Sequence, residues 1–239
     1  MKLIKIIKLE GNIILKSGLH IGSGSDEIKI GGTDQPVIKN PIDGMPYIPG
    51  SSLKGKIRSL IEWKEGKIGS DGGPYSTDNS NDSIARIFGN GKNKESYKGG
   101  PTRVTFNDSY LNSKYIEDWK INENMDKLFE IKTEVSIDRV KGTASGAGPR
   151  RMERIVSGAL FDFSLSYKVF DMENNDDSGK IDEENFKTLL KGMRMLELDS
   201  LGGSGSRGYG KIEFINLKKD NNEEIDLKKI NIDYFSNRP

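Results

Sequence analysis

A glycine-rich loop near the C-terminus has the composition most suited to binding chemistry. Residues 201–210 have the sequence LGGSGSRGYG, with five glycines in nine residues between a predicted helix and a predicted strand. Backbone N–H groups in such a loop can approach phosphate closely, and Arg207 adds positive charge. A helix C-cap followed by a tight turn would account for one or two glycines, not five. We therefore predict that this loop contacts an anion or a nucleic acid, and its candidate residues are Gly202, Gly203, Ser204, Gly205 and Arg207.

A second candidate site is the start of a helix predicted to begin at Ser51 or Ser52. Its two hydroxyl groups, its free backbone N–H groups and three cations within eight residues would form a phosphate cradle. The cations are Lys54, Lys56 and Arg58. An ordinary amphipathic helix with a serine N-cap and a solvated basic face explains the same residues. The residues alone leave both interpretations open.

A predicted β-hairpin arm, residues 133–157, carries a local excess of positive charge. Its tip between Gly142 and Gly148 is rich in glycine and alanine. Such an excess in a nearly neutral chain favours a surface that faces nucleic acid over a solvated edge hairpin. Five cations and one acid, Glu153, lie between residues 139 and 154, and the cations are Arg139, Lys141, Arg150, Arg151 and Arg154.

Asp34 is the candidate catalytic carboxylate. It lies in the segment Gly31-Gly32-Thr33-Asp34-Gln35-Pro36, from which it could reach a scissile phosphate, recruit a divalent ion or orient a 2′-hydroxyl group. Most aspartates in such loops serve turns, so spacing alone is weak support. Asp26 and Asp43 flank it and are alternative candidates. His20, the single histidine, lies beside glycines and could bind a ligand, although a lone histidine is more often structural.

Composition excludes several classes of function. The 239 residues include no cysteine and one histidine, which removes disulfides, Cys-ligated zinc or iron–sulfur sites, thiol nucleophiles and paired-histidine catalysis. Lys plus Arg total 37 against 36 Asp plus Glu, for a net charge of +1. That balance excludes coating of nucleic acid by bulk charge. No apolar run reaches 18 residues, so we expect a soluble, cytoplasmic protein that makes no membrane contact.

The predicted elements suggest an α+β domain with a mostly antiparallel sheet and helices on one face. Strong alternation predicts a strand over residues 161–169, and helical spacing predicts a helix over about 183–198. An acidic stretch, residues 171–184, is interpreted as a solvated loop. A ferredoxin-like arrangement is the leading candidate. The other expected elements are a strand over 3–15 with a bulge or bend at Gly11, an insertion over 66–100, and strands over 102–107 and 209–217.

Several motifs, taken in order, resemble the RAMP proteins of CRISPR effector complexes. Within these the chain is most similar to the backbone subunit of the type III-A (Csm) complex, and the resemblance runs nearly end to end. It depends on the following segments: residues 19–24 (LHIGSG), the Asp34 loop, 47–55 (YIPGSSLKG), 87–89 (IFG), 103–108 (RVTFND), 132–139 (KTEVSIDR) and the final glycine loop.

The resemblance implies one RAMP domain over residues 1–239 with a ferredoxin-like or RRM-like core. The core would comprise residues 1–65, 101–132 and 158–239. A lid insertion would span 66–100 and a protruding thumb hairpin 133–157. Copies would stack into a helical filament along a guide RNA and pair with other subunits of the type III effector complex. Each thumb would displace a base of the guide–target duplex.

The resemblance also implies a role for individual residues. Asp34 matches an aspartate tied to metal-dependent cleavage of single-stranded target RNA, with Mg²⁺ or Mn²⁺ as the expected ion and Asp34 as a metal ligand. Cleavage would use the 2′-hydroxyl group of the substrate as nucleophile. No structural zinc is expected. His20, Lys54 and Arg139 match guide-RNA contacts, while Ser51, Ser52 and residues 202–208 match segments that contact the RNA backbone. The cations Arg58, Lys141, Arg150 and Arg151 complete the predicted RNA surface.

Three alternatives stay open at this point. The chain could be a structural guide-RNA-binding subunit without nuclease activity, or the equivalent subunit of a type III-B complex. Outside the family, it could be a metal-dependent enzyme that acts on small phosphorylated ligands. A cleavage assay distinguishes a nuclease from a purely structural subunit. The partners in a purified complex distinguish type III-A from type III-B, and bound RNA would contradict an enzyme of small phosphorylated ligands.

Overall fold

The chain folds as a mixed α/β protein built on a large antiparallel sheet, as seen in a computed structural model. The structure describes residues 1–24, 35–69, 71–91, 96–146, 148–172 and 178–233. Its strands are β1 (Lys2–Leu15), β2 (Tyr47–Ile48), β3 (Val104–Phe106), β4 (Ser109–Tyr110), β5 (Phe129–Glu134), β6 (Arg150–Ile155), β7 (Leu160–Asp171), β8 (Ile212–Lys219) and β9 (Glu223–Glu224). Its α-helices are α1 (Gly50–Lys64), α2 (Ser83–Phe88), α3 (Ser113–Asp118) and α4 (Lys180–Leu198).

The main sheet has five strands in the order β3-β7-β1-β8-β9, and every neighbouring pair is antiparallel. Strand β7 alternates as predicted, and its odd-numbered apolar residues are buried against the helices. Each such side chain contributes about 1.5–3 kcal/mol by leaving water. The buried residues of this strand are Phe161, Phe163, Leu165, Tyr167 and Val169.

A bulge occurs beside Gly11, but its extra residue lies in β8 and not in β1, because Glu10 and Asn12 pair with Lys218 and Ile215. The register between β1 and β8 shifts between Glu10 and Asn12, and a Cβ atom at Gly11 would lie 2.8 Å from the carbonyl oxygen of Ile215. Glycine therefore permits the close approach of β8 while residues on both sides of the bulge keep their apolar side chains on one face.

Helix α1 begins at Gly50, and the prediction that a serine caps it is wrong. Pro49 is the N-cap residue and makes no side-chain cap hydrogen bond. Instead, the Gly50 N–H donates to Oδ1 of Asp108 over 2.8 Å, from the connection between β3 and β4. A carboxylate at this end also interacts favourably with the helix dipole.

The interpretation of residues 171–184 as a solvated loop is wrong for Asp182. Helix α4 begins at Lys180, and Asp182 in its first turn is fully buried. Its carboxylate accepts from Nε of Arg86 at 2.9 Å and from Nε of Arg103 at 2.8 Å, and both guanidinium groups are buried. The Phe170 N–H donates to the same carboxylate at 3.0 Å. The cluster joins α2, α4 and the edge of the sheet.

The predicted arm contains a two-stranded hairpin formed by β5 and β6, with Phe129 opposite Ile155 and Glu134 opposite Arg150. The pairing begins at residue 129, earlier than the predicted start at 133. Beyond the two strands, Ile137 and Ala144 form an isolated bridge. None of the helices in the described ranges is long and apolar enough to cross a membrane.

Candidate nucleic-acid interface

His20 lies where three segments of the predicted site meet. Its side chain is buried, with Nδ1 2.7 Å from the carbonyl oxygen of Glu153 on β6. The His20 carbonyl oxygen accepts from the Gly203 N–H at 2.9 Å. A Cβ atom at Gly202 would overlap that oxygen. The structure therefore brings His20, the glycine loop and the hairpin arm together, although they are far apart in sequence.

Asp34 lies outside the described residues, as does Asp26, so the structure assigns neither a position. Backbone contacts hold the residues on both sides of the segment 25–34. The Ile38 N–H donates to the Ile21 carbonyl at 2.8 Å, and Gln35 bridges to Met152 on β6. The carboxylate of Glu153 accepts from the Val37 N–H at 2.8 Å. The chain thus enters and leaves this segment beside β6 and His20.

Glu153 is a functional candidate that sequence reasoning missed, since it was counted only as the one acid of the arm. Besides the Val37 N–H, its carboxylate accepts from Nζ of Lys39 at 2.9 Å. In the sequence, the position of Glu153 as the lone carboxylate of a basic stretch was the signal that could have identified it.

Asp43, the alternative to Asp34 that the structure describes, caps a turn. Its carboxylate accepts from the Met45 N–H at 2.9 Å and from the Asn40 amide at 3.4 Å.

The glycine loop has stronger structural reasons for its glycines than the sequence suggested. Gly202 has φ +75°, and a Cβ atom at Gly210 would overlap the carbonyl oxygen of Leu201. Positive φ and close backbone approach thus explain more than the one or two glycines attributed to a helix cap. Gly203 and the 3₁₀ turn Gly205–Arg207 remain exposed or half-buried, so part of the loop is accessible to a ligand.

Glu134 fastens the glycine loop to the arm, a role that sequence reasoning did not identify. Its carboxylate accepts from Nη1 of Arg207 at 2.6 Å and from the hydroxyl group of Tyr209 at 2.8 Å. These two donors hold the pKa of Glu134 below its usual value, with the Tyr209 bond the larger cause. Burial and the same bond raise the pKa of Tyr209 to about 12. The hydroxyl group therefore keeps its proton at neutral pH.

A cleft of about 370 Å³ lies between the arm and the glycine loop. Three cations and one carboxylate line it, so its wall has an excess of positive charge of the kind that binds RNA phosphates. Lys132 also donates to the Arg207 carbonyl at 3.0 Å and lies over the ring of Tyr209. The lining residues are Lys132, Glu134, Val135, Ser136, Arg150 and Arg207.

The predicted cations of the arm divide into two groups. Arg139, Lys141, Arg150 and Arg151 are exposed, as an RNA-facing surface requires. Arg154 instead packs inward, with Nε 2.8 Å from Oε1 of Glu130 and its guanidinium 4.9 Å from the ring centre of Tyr209. Arg154 therefore stabilises the base of the arm.

The start of α1 keeps Ser51 exposed and Lys54 half-buried. Burial, with a smaller contribution from nearby Arg58, lowers the pKa of Lys54. Within the described ranges, no hydrogen bond or ion pair joins Ser51, Ser52 or Lys54 to the glycine loop or to β6. No such bond therefore holds this predicted phosphate cradle against the loop or the arm in that part of the chain.

Arg58 has structural contacts that the sequence did not predict. Each of its three nitrogens donates to a protein acceptor: Nε to Glu62 at 2.7 Å, Nη1 to the Gly89 carbonyl at 3.2 Å and Nη2 to the Tyr75 carbonyl at 2.6 Å. The side chain is largely buried. It connects α1 to residues of the predicted lid, and its role as an RNA contact stays a prediction.

The described residues include no group of three or more His, Asp or Glu side chains that could hold a metal ion.

Comparison with known proteins supports the resemblance described above. The model of the RAMP superfamily matches residues 12–213. Three relatives are called "CRISPR system Cms endoribonuclease Csm3". Those from Methanocaldococcus jannaschii and Methanothermobacter thermautotrophicus are 43% and 38% identical, cover 88% and 91% of this chain, and are themselves covered over 79% and 87% of their length. The relative from Streptococcus thermophilus is 41% identical, with 89% of this chain and 88% of the relative covered.

Solved structures agree with the sequence relatives. A chain of the "Csm3-Csm4 subcomplex in the type III-A CRISPR-Cas interference complex" matches with TM-score 0.57 and 31% identity, over 92% of this chain and 80% of that chain. A chain of the type III-B Cmr-β complex bound to cognate target RNA matches with TM-score 0.54 and 23% identity, over 90% and 61%, and shows a shared fold alone. The chain therefore belongs to the RAMP superfamily and, within it, to the Csm3 family.

Proposed function

We propose that this chain is a backbone subunit of a type III-A CRISPR effector complex that binds guide RNA and cleaves complementary target RNA. The observation that carries the proposal is the 38–43% identity, over about nine-tenths of the chain, to proteins named Csm3 endoribonucleases. The partners would be guide RNA, single-stranded target RNA, copies of itself and other subunits of the complex, in the cytoplasm.

The proposed fold is a ferredoxin-like core with a lid and a thumb. The chain order β1-α1-β3-β7-α4-β8 and the sheet order β3-β7-β1-β8 support this core, because antiparallel strands with two helices on one face define that arrangement. The lid would be residues 66–100 and the thumb 133–157. The hairpin of β5 and β6, which forms a two-stranded sheet separate from the five-stranded one, supports the thumb.

The proposed guide-RNA surface comprises His20, the glycine loop, the exposed cations of the arm and the start of α1. A subunit whose target is chosen by base pairing needs contacts to the RNA backbone, not to base edges. The accessible loop residues 204–206, followed by Arg207 in the cleft that Lys132 and Arg150 also line, suit that task. The buried ring of His20 fixes the approach of the loop to β6.

The proposed cleavage step depends on Asp34. The substrate 2′-oxygen attacks the adjacent phosphorus, the bond from phosphorus to the 5′-oxygen breaks, and a cyclic phosphate and a 5′-hydroxyl group result. Asp34 would orient the 2′-hydroxyl group or hold a divalent ion, Mg²⁺ or Mn²⁺, because carboxylate oxygens suit such ions. Asp43 is a weaker candidate because its carboxylate already caps a turn.

The test is cleavage of a guide-complementary RNA by the reconstituted complex, for the wild type, Asp34→Ala, Asp26→Ala and Asp43→Ala. We expect regularly spaced products that EDTA abolishes and that Asp34→Ala reduces by roughly a hundredfold or more. Target binding should stay unchanged in that variant, because no phosphate contact is removed. Asp43→Ala serves as the matched control and should cleave normally.

Each other result has a defined meaning. Tight target binding without cleavage by the wild type would leave a structural guide-RNA-binding subunit and make Asp34 an ordinary loop aspartate. Loss of cleavage in Asp26→Ala alone would transfer the role to Asp26. Persistent cleavage in EDTA would refute the metal requirement. Copurification with type III-B partners would favour the type III-B alternative.

A further inference from the structure

One face of the hairpin formed by β5 and β6 contacts the glycine loop. Side chains alternate between the two faces of a strand, so Lys132 and Glu134 share one face of β5. Arg150 lies directly opposite Glu134 on β6, so its side chain is on the same face. These three residues and Arg207 all line the cleft of about 370 Å³. The cleft therefore brings Arg207 of the loop against neighbouring side chains of one hairpin face.

Strand β5 holds Arg207 at two points. Nζ of Lys132 donates to the Arg207 carbonyl oxygen at 3.0 Å. Oε2 of Glu134 accepts from Nη1 of Arg207 at 2.6 Å. One strand thus fixes both the main chain and the side chain of this arginine. A long side chain that is held in advance loses less rotational freedom when it binds a ligand.

Tyr209 in turn fixes the carboxylate of Glu134. Its hydroxyl group donates to Oε1 of Glu134 at 2.8 Å, so each carboxylate oxygen has a different donor. Tyr209 is fully buried, and its ring centre lies 4.5 Å from Nζ of Lys132 and 4.9 Å from the guanidinium group of Arg154. Glu134 is therefore held in a defined position, from which it orients Arg207.

The exposure of the ion pair shows which partner is accessible to a ligand. The Arg207 side chain is 54% exposed, whereas that of Glu134 is only 16% exposed. Nε and Nη2 of Arg207 have no hydrogen-bond acceptor among the described residues. These two nitrogens form one edge of the planar guanidinium group, and such an edge can donate two parallel hydrogen bonds to a phosphate group. The accessible partner is thus a phosphate donor with a free edge.

We propose that Glu134 and Tyr209 are positioning residues, which orient Arg207 so that its free edge binds one phosphate group of the RNA backbone. Arg150, which has no hydrogen bond or ion pair within the described residues, adds positive charge beside that phosphate. The inference rests on the proposed function, because guide RNA supplies the phosphate. It assigns Glu134 a favourable effect on RNA binding, opposite to the repulsion expected of a carboxylate in a basic cleft.

The test is a titration of the full chain with fluorescently labelled guide RNA at several salt concentrations. Arg207→Ala should weaken binding roughly tenfold and reduce the slope of log K against log salt by about 0.7. Glu134→Gln and Tyr209→Phe should each weaken binding roughly fivefold, because Arg207 keeps its charge but loses its orientation. Tyr209→Phe retains the buried ring and removes only the hydroxyl donor.

A double substitution separates positioning from a general structural role. In the Arg207→Ala background, Glu134→Gln should change RNA affinity by less than about 1.5-fold, because no guanidinium group remains to be oriented. Glu130→Gln is the matched control. Glu130 lies on the same face of β5 but accepts from Nε of Arg154 at 2.8 Å, and its substitution should not weaken RNA binding.

Each contrary result has a defined meaning. Unchanged or tighter RNA binding by Glu134→Gln would overturn the proposal, because the carboxylate would then only repel RNA. Equal losses with and without Arg207 would also overturn it, since Glu134 would then support the loop as a whole. Unchanged binding by Arg207→Ala, with target cleavage by the complex intact, would overturn the inference and leave the proposed function standing. Failure of the wild type to bind guide RNA, alone and in the complex, would refute the proposed function and the inference with it.

Discussion

Two sites in this molecule place a carboxylate between donors, and they differ in burial. Asp182 lies between Arg86 and Arg103, and all three side chains are at most 1% exposed. Glu134 lies between Arg207 and the hydroxyl group of Tyr209, and the Arg207 side chain is 54% exposed. The residue types are similar, but the surroundings assign one site to stability and the other to the proposed RNA surface.

The difference follows from the cost of leaving a charge unpaired. In the buried cluster, two guanidinium groups have lost most of their water, so removing their carboxylate leaves them without compensation. At the surface, water and RNA phosphates can replace a lost partner, so an ion pair there contributes little to stability. Basic residues in a sequence of this family therefore identify RNA contacts only when burial is known.

The largest expected effect comes from breaking the buried site. Asp182→Asn keeps the shape of the side chain but removes its charge, which leaves Arg86 and Arg103 as an uncompensated pair of cations. We expect a loss of about 3–5 kcal/mol in the free energy of unfolding, measured by urea denaturation of the free chain. The matched control, Glu184→Gln in the same turn of α4, should change it by less than about 0.5 kcal/mol, because its partner Lys187 is exposed. Equal losses of stability in the two variants would show that burial does not distinguish stabilising carboxylates from those of surface ion pairs.

Arg58 tests the same distinction between buried and exposed charged groups, at a residue that the sequence predicted to contact RNA. Arg58→Ala removes three hydrogen bonds from a largely buried guanidinium group. We expect a loss of roughly 2 kcal/mol in stability and no change in the salt dependence of guide-RNA binding. Urea denaturation and a binding titration at several salt concentrations measure the two quantities. A changed salt dependence with unchanged stability would restore Arg58 to the RNA surface.

Periodicity in the sequence predicted the elements that depend on local pattern. The alternation of β7 and the helical spacing of α4 are both present, since each is set by residues close in sequence. The bulge beside Gly11 lies in β8, a partner strand far away in sequence. Element ends were less accurate: α4 starts at Lys180, and the hairpin starts at Phe129.

Features that depend on distant partners could not be predicted in this way. Asp182 belongs to a run of carboxylates in the sequence. It is buried because it pairs with Arg86 and Arg103, which are at least 79 residues away. Asp108 displaces a serine as the cap of α1 from a position 58 residues away. Motif order predicted the candidate site, which stays a prediction, but Glu134 and Glu153 act through tertiary contacts that no local pattern reveals.

Arg150 tests whether an exposed cation of the arm contributes to RNA binding and not to stability. Its side chain lines the cleft between the arm and the glycine loop and is exposed. We expect Arg150→Ala to weaken guide-RNA binding roughly tenfold and to reduce the slope of log K against log salt by about 0.7, the value for one phosphate contact on a single strand. Stability should change by less than about 0.5 kcal/mol. Lys114→Ala, a substitution on α3, is the control, and an equal effect of both would indicate a general charge effect.

The smallest expected effect concerns the link between the loop and the arm. Glu134→Gln removes the charge that pairs with Arg207 and should cost roughly 1 kcal/mol at neutral pH. Because folding lowers the pKa of Glu134, its contribution is complete above the unfolded value near 4.5 and is lost as pH falls through the lowered value. The unfolding curves of wild type and variant should therefore converge in acid, as thermal denaturation from pH 7 to pH 3 would measure. Glu224→Gln on β9 should track the wild type throughout. A difference between wild type and Glu134→Gln that persists at the lowest pH would mean that packing, and not charge, holds the loop against the arm.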